Sequence, residues 1–397
     1  MTDRPSLYLN AGSDRRIARG YPWVYSNEVR MDGMAKAIPA GSLVTLHRVD
    51  GKPLGVGTFH PHTLICFRLF DRNPRAVIDR GWFSRRLAAA LALRERLFSA
   101  PFYRLVHAEA DGIPGLICDR YGEVLVCQFN TAGIDALAAD VLGALDDVIN
   151  PRTVVLRNDS PSRGQEGLPL AAALAKGELA EDGIITVLEE GLTFFADPLR
   201  GQKTGWFFDQ RPNRLSVAPL AAGGAMLDVY CHSGGFLLQA LRAGAISGLG
   251  IDSSEGALAL AARAAQANGL ADRCEFRCGE AFAELERLSA ASQRFRLIVA
   301  DPPAFVKSRK DLGSGRRGYR KLARLTAALV EPGGMLFIAS CSHAVEAAAF
   351  RDEVVLGIDA AGRTGRIIAA GGAGADHPLH FHLPESAYLK TLTLHLD

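Results

Sequence analysis

The sequence has no CxxC pair, no long uncharged apolar run and almost no net charge, and each absence removes a class of protein. Its seven cysteines, Cys66, Cys118, Cys127, Cys231, Cys274, Cys278 and Cys341, are odd in number. That argues against a disulfide framework or a ribbon-type zinc site and points to a reducing compartment. No stretch reaches the roughly 18 apolar residues of a membrane span, and the start MTDRPSLYLN has no apolar core of signal-peptide length. A cytoplasmic protein without a membrane partner is therefore expected. Lys and Arg number 45 against 43 acids, a net of +2, so a polyanion would be recognised by local clusters rather than by the overall field. No internal repeat is evident. Hydrophobic residues, at 48% of 397, suffice for several packed domains.

Residues 1 to 72 carry short β-rich runs, SLVTLHRV, PLGVGTF and TLICFRLF, broken by Asp50-Gly51, Gly55, Gly57 and Pro61; this is turn chemistry between the strands of a small barrel-like module. Residues 73 to 197 come next as an α/β segment, opening on the helical text RLAAALALRERLF. Within it GLPLAAALAKGELAEDG, up to Gly183, is rich in Ala and Gly without clear period and is taken as a linker or partly helical loop. From 198 to 397 apolar strands alternate with amphipathic helices. That is the pattern of βαβ units in a parallel sheet covered on both faces. Ligands of such sheets bind beyond the carboxyl ends of the strands, where strand order reverses.

LDVYCHSGGF, Leu227 to Phe236, ends a strand with Asp228 and Tyr230, turns through Ser233, Gly234 and Gly235, and begins a helix. The glycines let backbone approach a ligand closely, although a plain strand–helix turn would also use them. Asp252, with Ser253 after it, ends the next strand in GID, where a carboxylate can accept both hydroxyls of a ribose. The loop is not GxGxxG. Its leading acid would repel a pyrophosphate and suits a cofactor carrying a cation, which points to S-adenosylmethionine. Glu280, followed by Ala281, stands just past the strand CEFRCG and can accept from an adenine amino group; taken alone it is a surface acid.

The strand before Ser233, RLIVAD and MLFIAS should lie side by side, bringing Asp301 and Cys341 to one pocket. A cysteine at a strand tip differs from one packed inside an element. A thiolate beside a carboxylate and a methyl donor suits carbon 5 of a pyrimidine: attack on carbon 6 makes carbon 5 able to take the methyl. Asp301 would hold the ring, and is counted among the cofactor contacts too. Between Lys307 and Arg324 eight Lys or Arg accompany one acid, so Lys307, Arg309, Lys310, Arg316 and Arg317 are the candidate contacts to a phosphate backbone. Arg320, Lys321 and Arg324 fit a solvated helix face equally well. His377, His380 and His382 in HPLHFH come without a cysteine, and no metal is expected. Cys274 and Cys278 bracket a strand as core or surface thiols, and His343 is a loop histidine near Cys341.

The stretches RGYPWVYSNEV, YRLVHAEADGIPGLICDRYG, GQKTGWFFDQRPNR, LDVYCHSGGF, DPPAFVKS and the SCS around Cys341 together resemble the PUA-containing class I methyltransferases that form 5-methylcytosine in large-subunit ribosomal RNA. The resemblance covers nearly the whole chain. It implies an α/β protein with an N-terminal β-barrel-like PUA domain for RNA, a central α/β domain and a C-terminal Rossmann-like methyltransferase domain, with Cys341 as nucleophile and Asp301 as its partner. Large-subunit ribosomal RNA would be the partner, and a homodimer is possible for such a chain. GQKTGWFFDQRPNR would border the cofactor pocket, with Lys203, Thr204, Gln210 and Arg211 as contacts and Phe236 closing the glycine loop. An amino-group methyltransferase using Asp301-Pro302-Pro303 without a covalent step, and an RNA-binding protein without catalysis, are the alternatives.

Overall fold

Residues 4–202, 204–306 and 309–397 are described by the computed structural model of the chain. They group into two units: Met1–Ile185 with Asp197–Trp206 and Ala375–Ser386, and Thr186–Ala196 with Phe207–Gly374 and Ala387–Asp397. Lys203, Lys307 and Ser308 lie outside the described residues, and Arg309 is described in its backbone alone.

In the first unit the alternating runs form β1 (Ser6–Tyr8), β2 (Trp23–Tyr25), β3 (Ser42–His47), β4 (Pro53–Phe59) and β5 (Ile65–Asp71). Their order is β1-β3-β4-β5-β2, closed over Leu7, Val24, Val44, Leu46, Phe59 and Phe67. A second sheet comprises β6 (Phe102–His107), β7 (Leu116–Tyr121), β8 (Val124–Phe129), β9 (Thr153–Asn158) and β10 (Ala171–Lys176), in the order β10-β9-β8-β7-β6. Helices α1 (Arg80–Leu97) and α2 (Ala138–Val148) share its core through Trp82, Phe83, Leu87, Val141 and Leu145. The Ala-rich stretch expected to be a linker is in part an edge strand: β10 runs antiparallel to β9 with a bulge between Leu174 and Lys176. Alanines exposed on both faces leave no alternation for a sequence reading to find.

The second unit starts with the hairpin of β11 (Ile185–Glu189) and β12 (Leu192–Ala196). Buried Glu189 receives Arg211 and two nitrogens, Nε and Nη2, of Arg214, and Asn268 bonds the backbone of Thr193 on both its N–H and C=O; these bonds hold the hairpin in this unit. Then come β13 (Ala225–Val229), α3 (Gly235–Arg242), β14 (Ser247–Asp252), α4 (Glu255–Ala267), β15 (Cys274–Cys278), α5 (Ala281–Ala290) and β16 (Phe295–Ala300). The chain continues through α6 (Leu312–Leu329), β17 (Val330–Ser340), α7 (Ala347–Ala360), β18 (Gly365–Gly371) and β19 (Lys390–Leu396).

These strands form one sheet in the order β15-β14-β13-β16-β17-β19-β18. Strands β13 to β17 pair in parallel, whereas β19 is antiparallel to both β17 and β18. The central strands are apolar nearly throughout because helices cover both faces. Strand order reverses between β13 and β16, so the loops after β13, β14, β16 and β17 open at one edge of the sheet. Because β19 runs the other way, its first residue, Lys390, stands at that same edge, paired with Ser340. Among the described residues no helix is long and apolar enough to cross a membrane.

Candidate active site at the strand tips of the second unit

The loop after β13 is under backbone strain where the ligand is expected. Tyr230 (φ 67°) and His232 (φ 49°) both adopt the left-handed conformation, which costs a non-glycine residue and clusters at functional sites. Gly234 shares that conformation (φ 81°) as the N-cap of α3, where a Cβ would stand 3.2 Å from the Ala261 Cβ. With no side chain at the cap, buried Asp228 supplies the acceptor: its Oδ2 receives the Leu237 N–H at 3.1 Å. Its Oδ1 is buried without a hydrogen-bond partner. Burial, reinforced by Asp301 and Asp252 and opposed by the Leu237 N–H, pushes this carboxyl up to about 8.

Asp252 at the tip of β14 organises the same loop, accepting from the His232 N–H at 2.9 Å and the Ser254 N–H at 2.9 Å. Ser233 is buried, with its hydroxyl 3.0 Å from His232 Nδ1. Burial pushes the Tyr230 phenol up, and Glu280 and Asp252 push it further, which places the tyrosine among those two acids. Glu280 is the N-cap of α5 and accepts from the Ala283 N–H at 2.8 Å; Ala281 behind it is buried, and Ser253 is exposed with its carbonyl 3.6 Å from Cys278 Sγ. These residues fit S-adenosylmethionine. The unpartnered Asp228 oxygen suits its ammonium, and the Asp252 carboxylate suits its ribose.

Asp301 follows β16 and donates its N–H to the Val229 carbonyl at 3.3 Å, so the turn that carries it is tied to the strand bearing Asp228. Cys341, the residue after β17, is partly exposed, with Sγ 3.9 Å from the Pro302 carbonyl oxygen. The expected pair thus occupies adjacent strand tips. The clamp that holds the cysteine is not visible in the sequence. On either side of it, Ser340 donates to the Tyr319 hydroxyl at 2.8 Å and Ser342 Oγ lies 2.8 Å from that same hydroxyl, while Ser342 Oγ also receives the Val306 N–H. One buried tyrosine of α6 therefore fixes both flanks of Cys341 to the loop after Asp301.

Several residues expected at the cofactor pocket have partners of their own within the protein. Thr204 is buried in the first unit, with its hydroxyl bonded to Asp119 and its carbonyl receiving the Tyr121 hydroxyl. Gln210 accepts from Asn213, and Arg211 donates to Glu189 and lies over Phe208; both side chains are buried in structural work. Phe236 packs in the core, its ring 5.2 Å from that of Phe337. Lys203 lies outside the described residues. The basic segment is also altered: α6 starts at Leu312, so Arg316 and Arg317 lie on a helix. Gly313, Gly315 and Gly318 hid the first turns of that helix, which the sequence shows only from Tyr319. A Cβ on Gly315 would come 2.7 Å from the Phe305 carbonyl oxygen, so glycine lets the loop after Asp301 lie against α6. Arg316 is withdrawn from the set of free cations, because it and Arg320 both donate to the nearly buried carboxylate of Glu353. Lys321 pairs with Glu286 and covers Phe282. Lys310 and Arg317 remain exposed.

Sequence reasoning missed Tyr319, Lys390 and the chain in which His343 stacks on Tyr388, whose hydroxyl donates to Asp209. The text YLK before an apolar run held the signal for Lys390, had the last strand been recognised as antiparallel. The histidine cluster does not converge: His377 is buried against Asp376 and His107 in the first unit, with His380 and His382 in a separate pair. Among the described residues no group of three His, Cys, Asp or Glu is placed to hold a metal ion.

Comparison with known proteins shows the family. The profile of a PUA-like domain matches residues 7–72, and that of an S-adenosylmethionine-dependent methyltransferase matches residues 171–358. Two curated relatives are both named ribosomal RNA large subunit methyltransferase I. That of Shewanella amazonensis is 35% identical over 97% of this chain and 98% of its own, and that of Klebsiella pneumoniae 34% over 98% of each. Among solved structures, a putative SAM-dependent methyltransferase from Streptococcus mutans has the same fold, with TM-score 0.82 at 18% identity over 98% of this chain and 100% of that one. A putative methyltransferase solved in complex with SAH gives a TM-score of 0.83 at 18% identity over the same shares of the two chains. With its buried acid at the glycine loop and near-complete overlap with these relatives, the chain belongs to the ribosomal RNA large subunit methyltransferase I family, and its cofactor is S-adenosylmethionine.

Proposed function

We propose that this protein methylates carbon 5 of a cytosine in large-subunit ribosomal RNA through a covalent adduct between Cys341 and carbon 6 of the ring. The carrying observation is the approach of Cys341 Sγ to the Pro302 carbonyl at 3.9 Å, which puts the sulfur beside the turn bearing Asp301. Carbon 5 of cytosine is a poor nucleophile. Bonding of the Cys341 sulfur to carbon 6 moves the ring electrons so that carbon 5 becomes enamine-like. The cofactor supplies an electrophilic methyl on a sulfonium. Asp301 holds the ring through nitrogen 3 and the exocyclic amine, which fixes the in-line approach. Loss of the carbon 5 proton to a base then expels the Cys341 thiolate and restores the aromatic ring.

The relatives named above act, by their names, on large-subunit ribosomal RNA, and a PUA-like module at residues 7–72 supports an RNA substrate here. Exposed Lys310 and Arg317, with Lys307 and Arg309 in the same stretch, are the proposed contacts to the RNA backbone. A base inside structured RNA must leave its stack to reach a sulfur at a strand tip. The deciding experiment is incubation with labelled S-adenosylmethionine and ribosomal RNA lacking the modification, followed by mapping of the product. Label on carbon 5 of a single cytosine is expected, together with a gel-stable protein–RNA adduct when 5-fluorocytosine replaces the target. Label on an exocyclic amine, with a fully active Cys341→Ala enzyme, would instead select the amino-group route through Asp301-Pro302-Pro303.

A further inference from the structure

We infer that Lys390 is the counter-ion of the Cys341 thiolate, a positioning residue that places a positive charge beside the nucleophile at the reactive edge of the sheet. Strand register brings the two together: Lys390 opens β19 directly opposite Ser340, the residue before Cys341. Its Nζ then reaches past the cysteine and donates to the carbonyl of Ser342 at 2.7 Å, so the lysine is bonded to the cysteine loop at both flanks, by strand pairing on one side and by its ammonium on the other. An ammonium has three N–H donors, so a half-buried lysine that gives one to this carbonyl retains others with which to face a neighbouring anion.

Electrostatics supports this placement. Burial pulls the Lys390 ammonium below its ordinary range, and the negative charge of Cys341 pushes it back up. Such coupling is reciprocal: a thiolate that favours the ammonium is itself favoured by that ammonium to the same extent. Among the described residues, the other groups around the sulfur do not replace it. Asp301 on the neighbouring turn opposes ionisation, Tyr319 on α6 is kept neutral by its burial, and His343 is stacked on Tyr388, whose hydroxyl binds Asp209. In the step concerned the Cys341 S–H bond breaks, its proton passes to solvent, and the electron pair stays on sulfur ready for carbon 6. The N–H bonds of Lys390 remain intact throughout.

This inference rests on Cys341 acting as nucleophile, and its test is chosen to be independent of turnover. In a Cys274→Ser, Cys278→Ser background the alkylation rate of Cys341 by iodoacetamide is followed across pH by peptide mass spectrometry, without cofactor or RNA. Lys390→Gln should raise the midpoint by about one unit, near the low end for an opposite charge within a few ångströms, and so slow alkylation at pH 7 about tenfold. Lys390→Arg should keep the midpoint near that of the parent. Lys390→Met provides a second neutral variant, and thermal melting confirms that each is folded. An unchanged midpoint in the neutral variants, or equal shifts in the neutral and arginine variants, overturns the inference while leaving the covalent route intact. A fully active Cys341→Ala enzyme would remove the covalent route and leave this titration to stand.

Discussion

Burial has opposite uses at Cys341 and Asp228. The sulfur is partly open and faces a cation, whereas the carboxylate is closed in with one oxygen unpartnered. Cys341→Ala should abolish methyl transfer and leave cofactor affinity within about twofold, since the sulfur stands at the end of β17, two strands away from the glycine loop after β13; parallel isothermal titration and turnover assays check this. Asp228, held up to about 8 and with an ordinary value of 3.8, binds a proton in the folded cofactor-free chain that the unfolded chain has already lost. Stability from this residue is therefore greatest below about pH 4 and drains away as pH rises toward 8. Comparing pH-dependent melting of the parent with Asp228→Asn isolates the effect: the parent should fall relative to the variant across that window. Ligand binding should show the mirror image. The ionised acid is the form that receives an ammonium, so affinity for S-adenosylmethionine should climb between about pH 6 and 8, and Asp228→Asn should weaken it roughly tenfold or more and flatten the climb. A pH-independent affinity in the parent would falsify this role.

At the scale of elements, the serines on both sides of Cys341 matter because strand β17 ends there and a single tyrosine holds the loop beyond it. Tyr319→Phe removes the hydroxyl that both serines share, with an expected loss of about 1–3 kcal/mol. It should lower turnover with little change in cofactor affinity, as measured by a melting curve and a binding isotherm on one preparation. Tyr319 escaped the sequence reading for a physical reason. Most strands and helices from Ala225 to Ser340 were legible because apolar strands buried on both faces and helices apolar on one face leave distinct periods, and Asp228, Asp252, Asp301 and Cys341 follow from position at strand tips. Tyr319 lies on α6, whose opening turns contain Gly313, Gly315 and Gly318, and glycine is a poor helix former. Its presence there answers to the packing of Phe305 and Val306, a tertiary demand that no local pattern encodes. Thr204 and Arg211 illustrate the complementary limit: they are polar residues in a glycine-bounded segment, and their partners Asp119 and Glu189 lie outside it, where no local pattern names them.

On the scale of the whole molecule, a net charge of +2 leaves RNA affinity to a few local cations. Lys310→Glu and Arg317→Glu should each weaken RNA binding and lower the slope of log affinity against log salt by about one, with melting temperature unchanged, as filter binding over a salt series would show. Arg316→Glu should differ, because it sets a like charge against nearly buried Glu353 and so costs stability first. A melting temperature unaffected by that change would show that Arg320 alone neutralises Glu353.

Insertion of β19 between β17 and β18 has a consequence for how the enzyme comes into being. Both flanking strands leave the ribosome earlier, and the edges they will offer to β19 have no hydrogen-bonding partner until residues 390–396 emerge. During that interval the cysteine is already synthesised but its charge partner is not. On the role proposed for Lys390, a nascent chain holds an unarmed thiol, and that thiol gains its charge partner in the same event that completes the sheet.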